Sequence, residues 1–456
     1  MHNKSCYYRV MKSLIPNFIL QKISSREGML KMTKNFSWLF ADKIFKLTIV
    51  MAVNIWAYRY LGPENVGIWN YAIAFVTIFT PIANMGIDGI VVRDIVTNPS
   101  RKNELIGAAF VLKLIGGIAL TLFTALAIYI RRPEDSQMLY YIIVISSAHI
   151  FLAFDAIDLY NQSQLKSKYT VLSKSIGYTI CSGLKVYFIL NGLPLEYFIW
   201  VQFIENAIGA VFLIYWYQRQ NNKINQWKFS LRTSLSLTKQ SWPLILTTSL
   251  LFVQQYIDQV FIGDWIGEEE LGQFSTAAKL IALFGFIPMI IQSTVGPEIA
   301  NAKKQSEELY LYKFKKLYQI MLLVSVFVIA CCFIAGKFAV TLLYGKEYEQ
   351  AGILMGLMSI RFLFINFSVI KTLYVTNNNI FVYYLLTSLL GASLNIGLNI
   401  VLIPHFGSVG AIWASIISFL ISIILIDLFY KQARDNFKCM IEAFYDFKAY
   451  KNILKD

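Results

Sequence analysis

Charged residues are scarce in this sequence of 456 residues: Asp, Glu, Lys and Arg make up only 15% of it, whereas hydrophobic residues make up 57%. Ordinary soluble domains contain about 25% charged and roughly 45–50% apolar residues. A water-soluble fold could not bury this much apolar surface. The composition therefore excludes an ordinary soluble domain and indicates a protein whose main solvent is lipid.

Histidine and cysteine are also rare, with three and five residues. No CxxC motif or Cys/His pair occurs, and none of the cysteines falls in a segment predicted to lie outside the cell. The sequence therefore predicts no disulfide framework, no metal site and no cofactor.

Segments that alternate apolar and polar residues, as the strands of membrane β-barrels do, are absent as well. Instead the sequence contains apolar segments long enough to cross a bilayer, which takes about 20 residues as helix. Because lipid cannot satisfy free backbone groups, these spans are predicted to be helices. The twelve predicted spans lie at 37–60, 66–92, 105–130, 137–160, 170–191, 194–217, 241–263, 271–295, 317–336, 350–373, 380–403 and 408–430.

The net charge of +14 could suggest a nucleic-acid partner, but its distribution indicates topology instead. With the N-terminus placed inside, the inner segments hold 30 Lys and Arg residues and the outer loops hold five. Lys and Arg mark the cytoplasmic side of membrane proteins. We therefore expect a multi-pass protein with both termini in the cytoplasm and no nucleic-acid binding.

A polar, basic stretch near the middle of the chain divides the spans into six and six. This division predicts an all-α membrane protein built from two six-helix bundles. The expected parts are a cytoplasmic N-terminal extension (1–35), the first bundle (36–217), a cytoplasmic linker (218–240), the second bundle (241–430) and a cytoplasmic tail (431–456).

The same short connector occurs once in each half. It reads LGPENVG at 61–67, with Gly62 and Gly67, and IGEEELG at 266–272, about 205 residues later. Pro81 and Pro288 interrupt the spans that follow the two connectors. We interpret this as an internal duplication, whose halves are related by a pseudo-twofold axis along the membrane normal. The two prolines are candidate hinges, although proline is generally common in membrane helices.

Ionisable residues inside the spans are the candidates for function, because each costs about 2.5–3.5 kcal/mol at the bilayer centre. Some lie near predicted span ends, where they are expected to reach water: Asp42, Lys43, Asp155, Asp158 and Asp427. The deeper cations are Lys46, Lys113, Lys185, Lys279 and Arg361, and the acids weighed as partners or ion-coupling groups are Glu205, Asp258 and Asp88.

The deep cations outnumber the deep acids, and a surplus of Lys and Arg in a wet cavity attracts phosphate. We therefore predict a cationic cavity for a pyrophosphate-bearing ligand. Asp258 lies on one polar helical face with Thr247 and Gln254 and is a candidate for proton or sodium coupling. A structural pair between Asp258 and Lys279 is the alternative.

Five stretches carry a resemblance to a known family. They are RYLGPENVGIWNYA (59–72), GIDGIVVRDI (86–95), DQVFIG followed by LGQFSTAAKL (258–280), LLYGKEYEQAG (342–352) and NIGLNIVLIPHFGSVGAIWAS (395–415). Over about residues 33–430 the sequence resembles the polysaccharide transporter family, which includes bacterial O-antigen flippases. That family shares a superfamily with lipid II flippases and with multidrug and toxin extrusion antiporters.

The resemblance implies a protein of the bacterial inner membrane. Such proteins move an undecaprenyl-pyrophosphate-linked oligosaccharide to the outer leaflet, through a cationic cavity between two six-helix bundles in a V. O-antigen polymerase and a chain-length regulator are implied partners. By motif match, Asp258 and Lys279 are the family's acid and base, and Arg59 and Arg93 are the basic residues that flank the first hairpin. The other cations rest on the charge argument alone.

Three rival functions are open. A multidrug antiporter of the same superfamily would need a net acidic cavity, which the basic surplus disfavours. A membrane O-antigen polymerase would need a large outer loop, whereas the longest one predicted, near 337–349, has about 13 residues. A passive scaffold would leave the buried charges unexplained.

Overall fold

The computed structural model describes residues 45–446 together with Asn35, Ser37 and Trp38. All of the regular secondary structure in this described part is helical, and the described part contains no strand. In the N-terminal half the α-helices are α1 (Met51–Asn84), α2 (Asp88–Thr97), α3 (Lys102–Arg131), α4 (Ser136–Ser147), α5 (Asp155–Ser163), α6 (Ser167–Leu190) and α7 (Leu195–Arg219). A π-helical turn, Lys46–Val50, precedes α1, and a 3-10 segment, Ala148–Phe154, separates α4 from α5.

The C-terminal half follows the same all-helical plan. Its α-helices are α8 (Leu231–Trp265), α9 (Glu268–Leu283), α10 (Phe286–Gln305), α11 (Glu307–Tyr344), α12 (Glu349–Asn378), α13 (Phe381–Phe419), α14 (Ile426–Phe429) and α15 (Arg434–Tyr445). Side-chain caps start several of these helices. For example, Ser230 accepts a hydrogen bond from Thr233 N at the start of α8, and Ser306 accepts one from Leu309 N at the start of α11.

Eight helical segments of the described chain are long and apolar enough to cross a membrane. They are Thr48–Thr97, Pro99–Arg131, Ser136–Ser163, Leu195–Arg219, Glu268–Gln305, Glu307–Tyr344, Lys346–Asn378 and Phe381–Phe429. The predicted spans 170–191 and 241–263 fall in α6 and α8, which are not among these eight. The protein is thus a multi-pass helical membrane protein.

Two of the eight segments contain a sharp turn. Gly62 interrupts α1 with φ 75° and ψ 166°, and Gly407 interrupts α13 with φ 56° and ψ −139°. Only glycine adopts such positive φ values without strain. Each of these two segments therefore folds back on itself, which brings Tyr58 to Asn70 in the first and Gly410 to Leu402 in the second. The first segment covers the predicted span 66–92 and residues 48–60 of the predicted span 37–60, and the second covers nearly all of 380–403 and 408–430.

The repeated connectors fold alike and touch each other. Gly267, between α8 and α9, has φ 129° and ψ 169°, close to the extended ψ of Gly62. A Cβ on Gly67 would lie 1.7 Å from the carbonyl oxygen of Glu268, and a Cβ on Gly272 would lie 1.9 Å from that of Pro63. The two contacts are reciprocal, because each glycine meets the residue that follows the turn glycine of the other half.

Both candidate hinge prolines lie beside a break in a helix. Pro81 is the fourth-last residue of α1, which ends at a left-handed Met85 with φ 55°. Pro288 lies in the first turn of α10, directly after the break between α9 and α10. The breaks follow Pro81 but precede Pro288, so the two halves bend at slightly different positions.

Helix α11 extends further than the sequence suggests. It continues to Tyr344, and a 3-10 turn at Lys346–Tyr348 leads into α12. The outer loop predicted near 337–349 is therefore mostly helical, which leaves still less room for an extracellular catalytic loop. Gly345, with φ 102°, makes the turn between the two helices.

The main apolar core is shared by the two halves. Tyr58 and Tyr71 of α1 are almost fully buried, and so are Phe274 of α9 and Phe362 of α12. Helix α1 packs along both α8 and α9. This packing places the middle of α1 beside α8 and α9, which line the cavity described below.

Candidate functional site

A cavity of about 650 Å³ lies among α1, α8, α9, α12 and α13. Three cations line it: Lys279 of α9, and Arg361 and Lys371 of α12. No acidic side chain of the described residues lies in its wall. The wall is therefore positively charged. Acidic residues that lie behind the wall balance part of this charge.

Lys279 joins the two halves of the chain at this wall. Its ammonium group donates a hydrogen bond to the hydroxyl of Tyr58, and it lies 4.5 Å from the centre of the Tyr58 ring. The Tyr58 hydroxyl donates in turn to Oδ1 of Asn70, 3.1 Å away. The Lys279 side chain is also exposed to solvent, because it faces the cavity. These contacts hold a cation at the cavity surface without neutralising it.

Arg361 is paired with Asp258 of α8, and the sequence alternative of an Asp258–Lys279 pair is wrong. Nη1 of Arg361 lies 3.4 Å from Oδ2 of Asp258, which is fully buried. Asn399 donates to Oδ1 of Asp258 at 2.8 Å, and Ser415 donates to Oδ2 at 2.7 Å. A buried carboxylate needs such partners because desolvation is costly.

Lys371 is a cation of the cavity wall that sequence reasoning missed. The topology predicted from the sequence assigned Lys371 to one of the inner segments, but it lies within α12 and is only 2% exposed. Its Nζ lies 2.5 Å from Oδ1 of Asp427, which is also fully buried and accepts a further hydrogen bond, at 2.7 Å, from Asn436. The expectation that Asp427 reaches water at a span end is therefore wrong. Nothing in the sequence indicated that this lysine and this aspartate, 56 residues apart, would form a pair.

Of the three cavity cations, only Lys279 has no acidic partner within 4 Å among the described residues. Arg361 and Lys371 each have one. The uncompensated positive charge of the cavity is therefore concentrated at Lys279, on the boundary between the halves.

Two of the other predicted cations, Lys113 and Lys185, do not line this wall. Lys113 is 2% exposed and pairs with Asp88 at 2.7 Å. Lys185 donates to Asn54 Oδ1 at 2.8 Å and lies 5.5 Å from the ring centre of Trp69. The side chain of Lys46 lies outside the described residues.

Trp69 connects Lys185 to the cavity region, because Lys279 lies 5.9 Å from the centre of the same ring. Glu205 is partly buried and close enough to Lys185 for their charges to interact. The predicted residues therefore form one group at the cavity wall and two pairs in the N-terminal half, Lys113 with Asp88 and Lys185 with Glu205.

The two predicted connector arginines are exposed. Arg59 lies at the turn between α11 and α12, where its Nε would be 3.7 Å from a Cβ on Gly345. Arg93 of α2 donates to Asp94 at 2.9 Å and, across to α8, to Gln240 at 3.0 Å. Arg93 therefore joins the halves at the end of the molecule predicted to face the cytoplasm.

A charge network joins the halves at the opposite end, which is predicted to face outside. Asp264 of α8 accepts hydrogen bonds from Arg131 at 2.5 Å, from Arg132 at 2.9 Å and from the Tyr71 hydroxyl at 2.8 Å. Arg132 also contacts Glu268 at 3.0 Å. From the sequence, Arg131 and Arg132 were counted only as residues of a predicted outer loop. The network therefore joins the two halves at this end of the molecule.

The sequence matches a known family and known relatives. A family model described as "Polysaccharide biosynthesis protein" matches residues 32–303, which is more than half of the chain. The "Capsular polysaccharide biosynthesis protein CapF" of Staphylococcus aureus is 25% identical over 416 residues, which cover 88% of this chain and 100% of that protein. A "Putative O-antigen transporter" of Shigella flexneri is 24% identical over 334 residues, which cover 69% of this chain and 77% of that protein.

Solved structures of transporters share the fold. The lipid II flippase MurJ in an inward closed conformation matches with a TM-score of 0.68 at 13% identity, covering 90% of this chain and 91% of that chain. A multidrug resistance MATE family transporter of the MOP superfamily matches in its inward-facing conformation with a TM-score of 0.67 at 14% identity, covering 88% and 99%. An outward-facing MATE family transporter matches with 0.58 at 15% identity, covering 90% and 97%. Identities this low make these likenesses of fold alone.

Proposed function

The chain belongs to the polysaccharide biosynthesis protein family, and from that membership we propose that it is a flippase rather than an enzyme. It moves an undecaprenyl-pyrophosphate-linked oligosaccharide from the inner to the outer leaflet of the cytoplasmic membrane. The observation that carries this proposal is the cavity wall, which holds three cations and no acid among the described residues.

Elementary physical chemistry supports this substrate. A diphosphate and its sugars cannot cross hydrocarbon unaided, because their polar groups would lose all hydrogen bonds. Lys and Arg are the residues that bind phosphate. The cavity volume of about 650 Å³ lies within the range of roughly 300–1,000 Å³ typical of ligand sites. We assign the diphosphate to Lys279, since its charge is not balanced by an acid in the described chain.

The rival function, export of cationic drugs, draws support from the likeness to multidrug transporters. A cavity for cations would need acidic side chains in its wall. Asp258 and Asp427 instead stand behind Arg361 and Lys371, where they are bonded to these residues. The sign of the wall therefore favours an anionic substrate.

We propose that the chain crosses the membrane twelve times, as two six-helix bundles related by a pseudo-twofold axis along the membrane normal. The eight apolar segments give this number when the turns at Gly62 and Gly407 are counted as reversals and when α6 and α8 are included. The reciprocal contacts of Gly67 and Gly272 support the axis, because the two-fold relation of equivalent surfaces produces paired contacts of this kind.

We further propose that the conformation described here opens to the cytoplasm. The network around Asp264 closes the end predicted to face outside. Alternating access would then break the Asp264 network once the substrate occupies the cavity.

Asp258 is our candidate for ion coupling. It is buried, and the nearby Oδ1 of Asn399 has no hydrogen-bond partner in the described part of the chain. A proton or a sodium ion that binds here would weaken the ion pair between Asp258 and Arg361, and the guanidinium could then bind the substrate. The membrane potential adds a second drive, because each uncompensated negative charge moving outward gains about 2.3 kcal/mol per 100 mV.

Gene deletion tests the proposal. The deletion strain should accumulate one lipid-linked oligosaccharide on the inner leaflet and lose the corresponding surface glycan, and the wild-type gene should restore the glycan. A deletion strain with normal surface glycan and no accumulated lipid would contradict the proposal.

A further inference from the structure

A buried amide faces the cavity without a partner. Gln254 of α8 is 7% exposed and belongs to the cavity wall. Its Nε2 has no hydrogen-bond partner among the described residues. Buried polar groups in folded proteins are almost always hydrogen-bonded, so a free donor at a cavity surface points to a ligand.

The surroundings of Gln254 form a small pocket in the cavity wall. A Cβ on Gly391 of α13 would lie 2.9 Å from Gln254 Nε2 and 2.8 Å from Ser422 Oγ. A larger residue than glycine at position 391 would therefore displace the Gln254 amide. Ser388 lies one turn before Gly391, and Lys371 donates to the Ser422 carbonyl at 3.0 Å. We call Gln254, Ser388, Ser422 and Lys371 the glutamine pocket. Each of the four is more than nine-tenths buried and lines the cavity.

The glutamine pocket contains a cation but does not offer it to an anion. A lysine ammonium has three hydrogens to donate. Lys371 directs them to the Ser422 carbonyl at 3.0 Å, the Ile423 carbonyl at 3.1 Å and the carboxylate of Asp427 at 2.5 Å. Its charge is balanced and its donors are used. The free donor of the pocket is the neutral amide of Gln254.

The hydroxyl of Ser388 adds acceptor capacity. It donates to the Tyr384 carbonyl at 2.9 Å, which leaves lone pairs on its oxygen. One neutral donor beside a neutral acceptor matches a sugar residue, whose hydroxyl and acetamido groups both accept and donate. A phosphate group, which only accepts and carries charge, fits Lys279 better.

We propose that the glutamine pocket binds an uncharged sugar residue of the translocated oligosaccharide, with Gln254 Nε2 donating to a sugar oxygen. The inference rests on the proposed function and adds a division of labour within the cavity. Lys279 holds the diphosphate that every substrate of this kind shares, and Gln254 distinguishes the attached glycan.

Binding measurements on the purified full-length protein in lipid nanodiscs test this division. The two probes are undecaprenyl diphosphate without sugar and the undecaprenyl-pyrophosphate-linked oligosaccharide isolated from the deletion strain. Wild-type protein should prefer the oligosaccharide. Gln254→Leu should weaken binding of the oligosaccharide about three- to tenfold, the effect of one neutral hydrogen bond, and leave binding of the sugar-free lipid unchanged.

Gln255→Leu is the matched control, because Gln255 also lines the cavity but is exposed, so water can satisfy its amide. It should change either affinity less than twofold. Gly391→Ala is an independent variant that displaces the Gln254 amide without removing it, and it should reproduce the loss seen with Gln254→Leu. It also decides the question if Gln254→Leu fails to fold.

The outcomes separate the two levels of the proposal. If wild-type protein binds neither probe, the flippase function itself is wrong. If it binds both probes but Gln254→Leu and Gly391→Ala keep the wild-type preference, the flippase proposal stands and the glutamine pocket holds only water. An equal loss in Gln255→Leu would also overturn the pocket, since the effect would then reflect the general polarity of the wall.

Discussion

The guanidinium of Arg361 lies 3.4 Å from the carboxylate of Asp258, and this pair connects α12 to α8 at the cavity wall. Arg361 faces the cavity, whereas Asp258 is fully buried behind it. The charge that Arg361 offers to a substrate therefore depends on the charge state of one hidden acid. In the proposed mechanism, this dependence couples substrate binding to an ion.

We predict that Arg361→Ala destabilises the protein strongly, because it leaves Asp258 charged and unpaired in an apolar environment. Removing one partner of a buried pair costs about 3–5 kcal/mol. Thermal unfolding of the purified variant measures the loss. The double variant Arg361→Ala with Asp258→Asn should recover most of the stability but not the transport. Equal unfolding temperatures for the single and the double variant would show that the pair contributes little.

Lys279→Gln should behave differently, because no acid of the described chain depends on Lys279. We expect near-normal folding, a large drop in surface glycan and at least tenfold weaker binding of undecaprenyl diphosphate. Lys279→Arg should retain part of the activity. Lys337→Gln is the control, since Lys337 is exposed, pairs with Glu349 at 2.5 Å and does not line the cavity. Normal glycan levels with Lys279→Gln would remove Lys279 from the mechanism.

The reciprocal connector contacts make a symmetric prediction. Gly67→Ala and Gly272→Ala would each place a methyl group within 2 Å of a carbonyl oxygen of the other half. Overpacking of this kind costs about 1–3 kcal/mol, so both variants should unfold at similar, lower temperatures. Gly397→Ala, in open space on α13, should be neutral or slightly stabilising. A large effect at only one of the two connector glycines would argue against equivalent halves.

The outer network should control which side of the membrane the cavity faces. Arg132→Ala removes contacts to Asp264 and Glu268 and should favour the outward-open state. In a variant without native cysteines, Ala278→Cys places a thiol at the cavity wall. A membrane-impermeant maleimide added outside should label this thiol several-fold faster when Arg132 is replaced. Unchanged labelling would mean that the network does not hold the outer end closed.

Composition and hydropathy were sufficient to predict a multi-pass helical protein, because lipid permits few alternatives. The motif resemblance is confirmed by the family match over residues 32–303. The short connectors led to the duplication hypothesis, and the glycines that they share are the residues that a tight turn and a close backbone contact require. The contact between the two connectors was not predicted. Features that depend on local chemistry were thus readable from the sequence.

Pairings between distant segments could not be predicted in this way. From the sequence, Lys113 was assigned to a span and to the cavity, and Lys371 to an inner segment. The fold instead puts Lys113 beside Asp88 and puts Lys371 at the cavity wall beside Asp427. The sequence left an Asp258–Lys279 pair open, whereas the fold places Arg361 of α12 beside Asp258 of α8. The sequence shows that a buried charged residue needs a partner, but only the three-dimensional structure identifies that partner.

The most direct test of the central claim is transport by the purified protein in liposomes. The liposomes contain the undecaprenyl-pyrophosphate-linked oligosaccharide from the deletion strain, and a glycan-binding lectin reports the fraction of oligosaccharide on the outer surface. A membrane-impermeant glycosidase first removes the oligosaccharide that is already outside. Wild-type protein should then return oligosaccharide to the outer surface, and Lys279→Gln should not. No recovery with wild-type protein, or equal recovery with both, would contradict translocation through the cationic cavity.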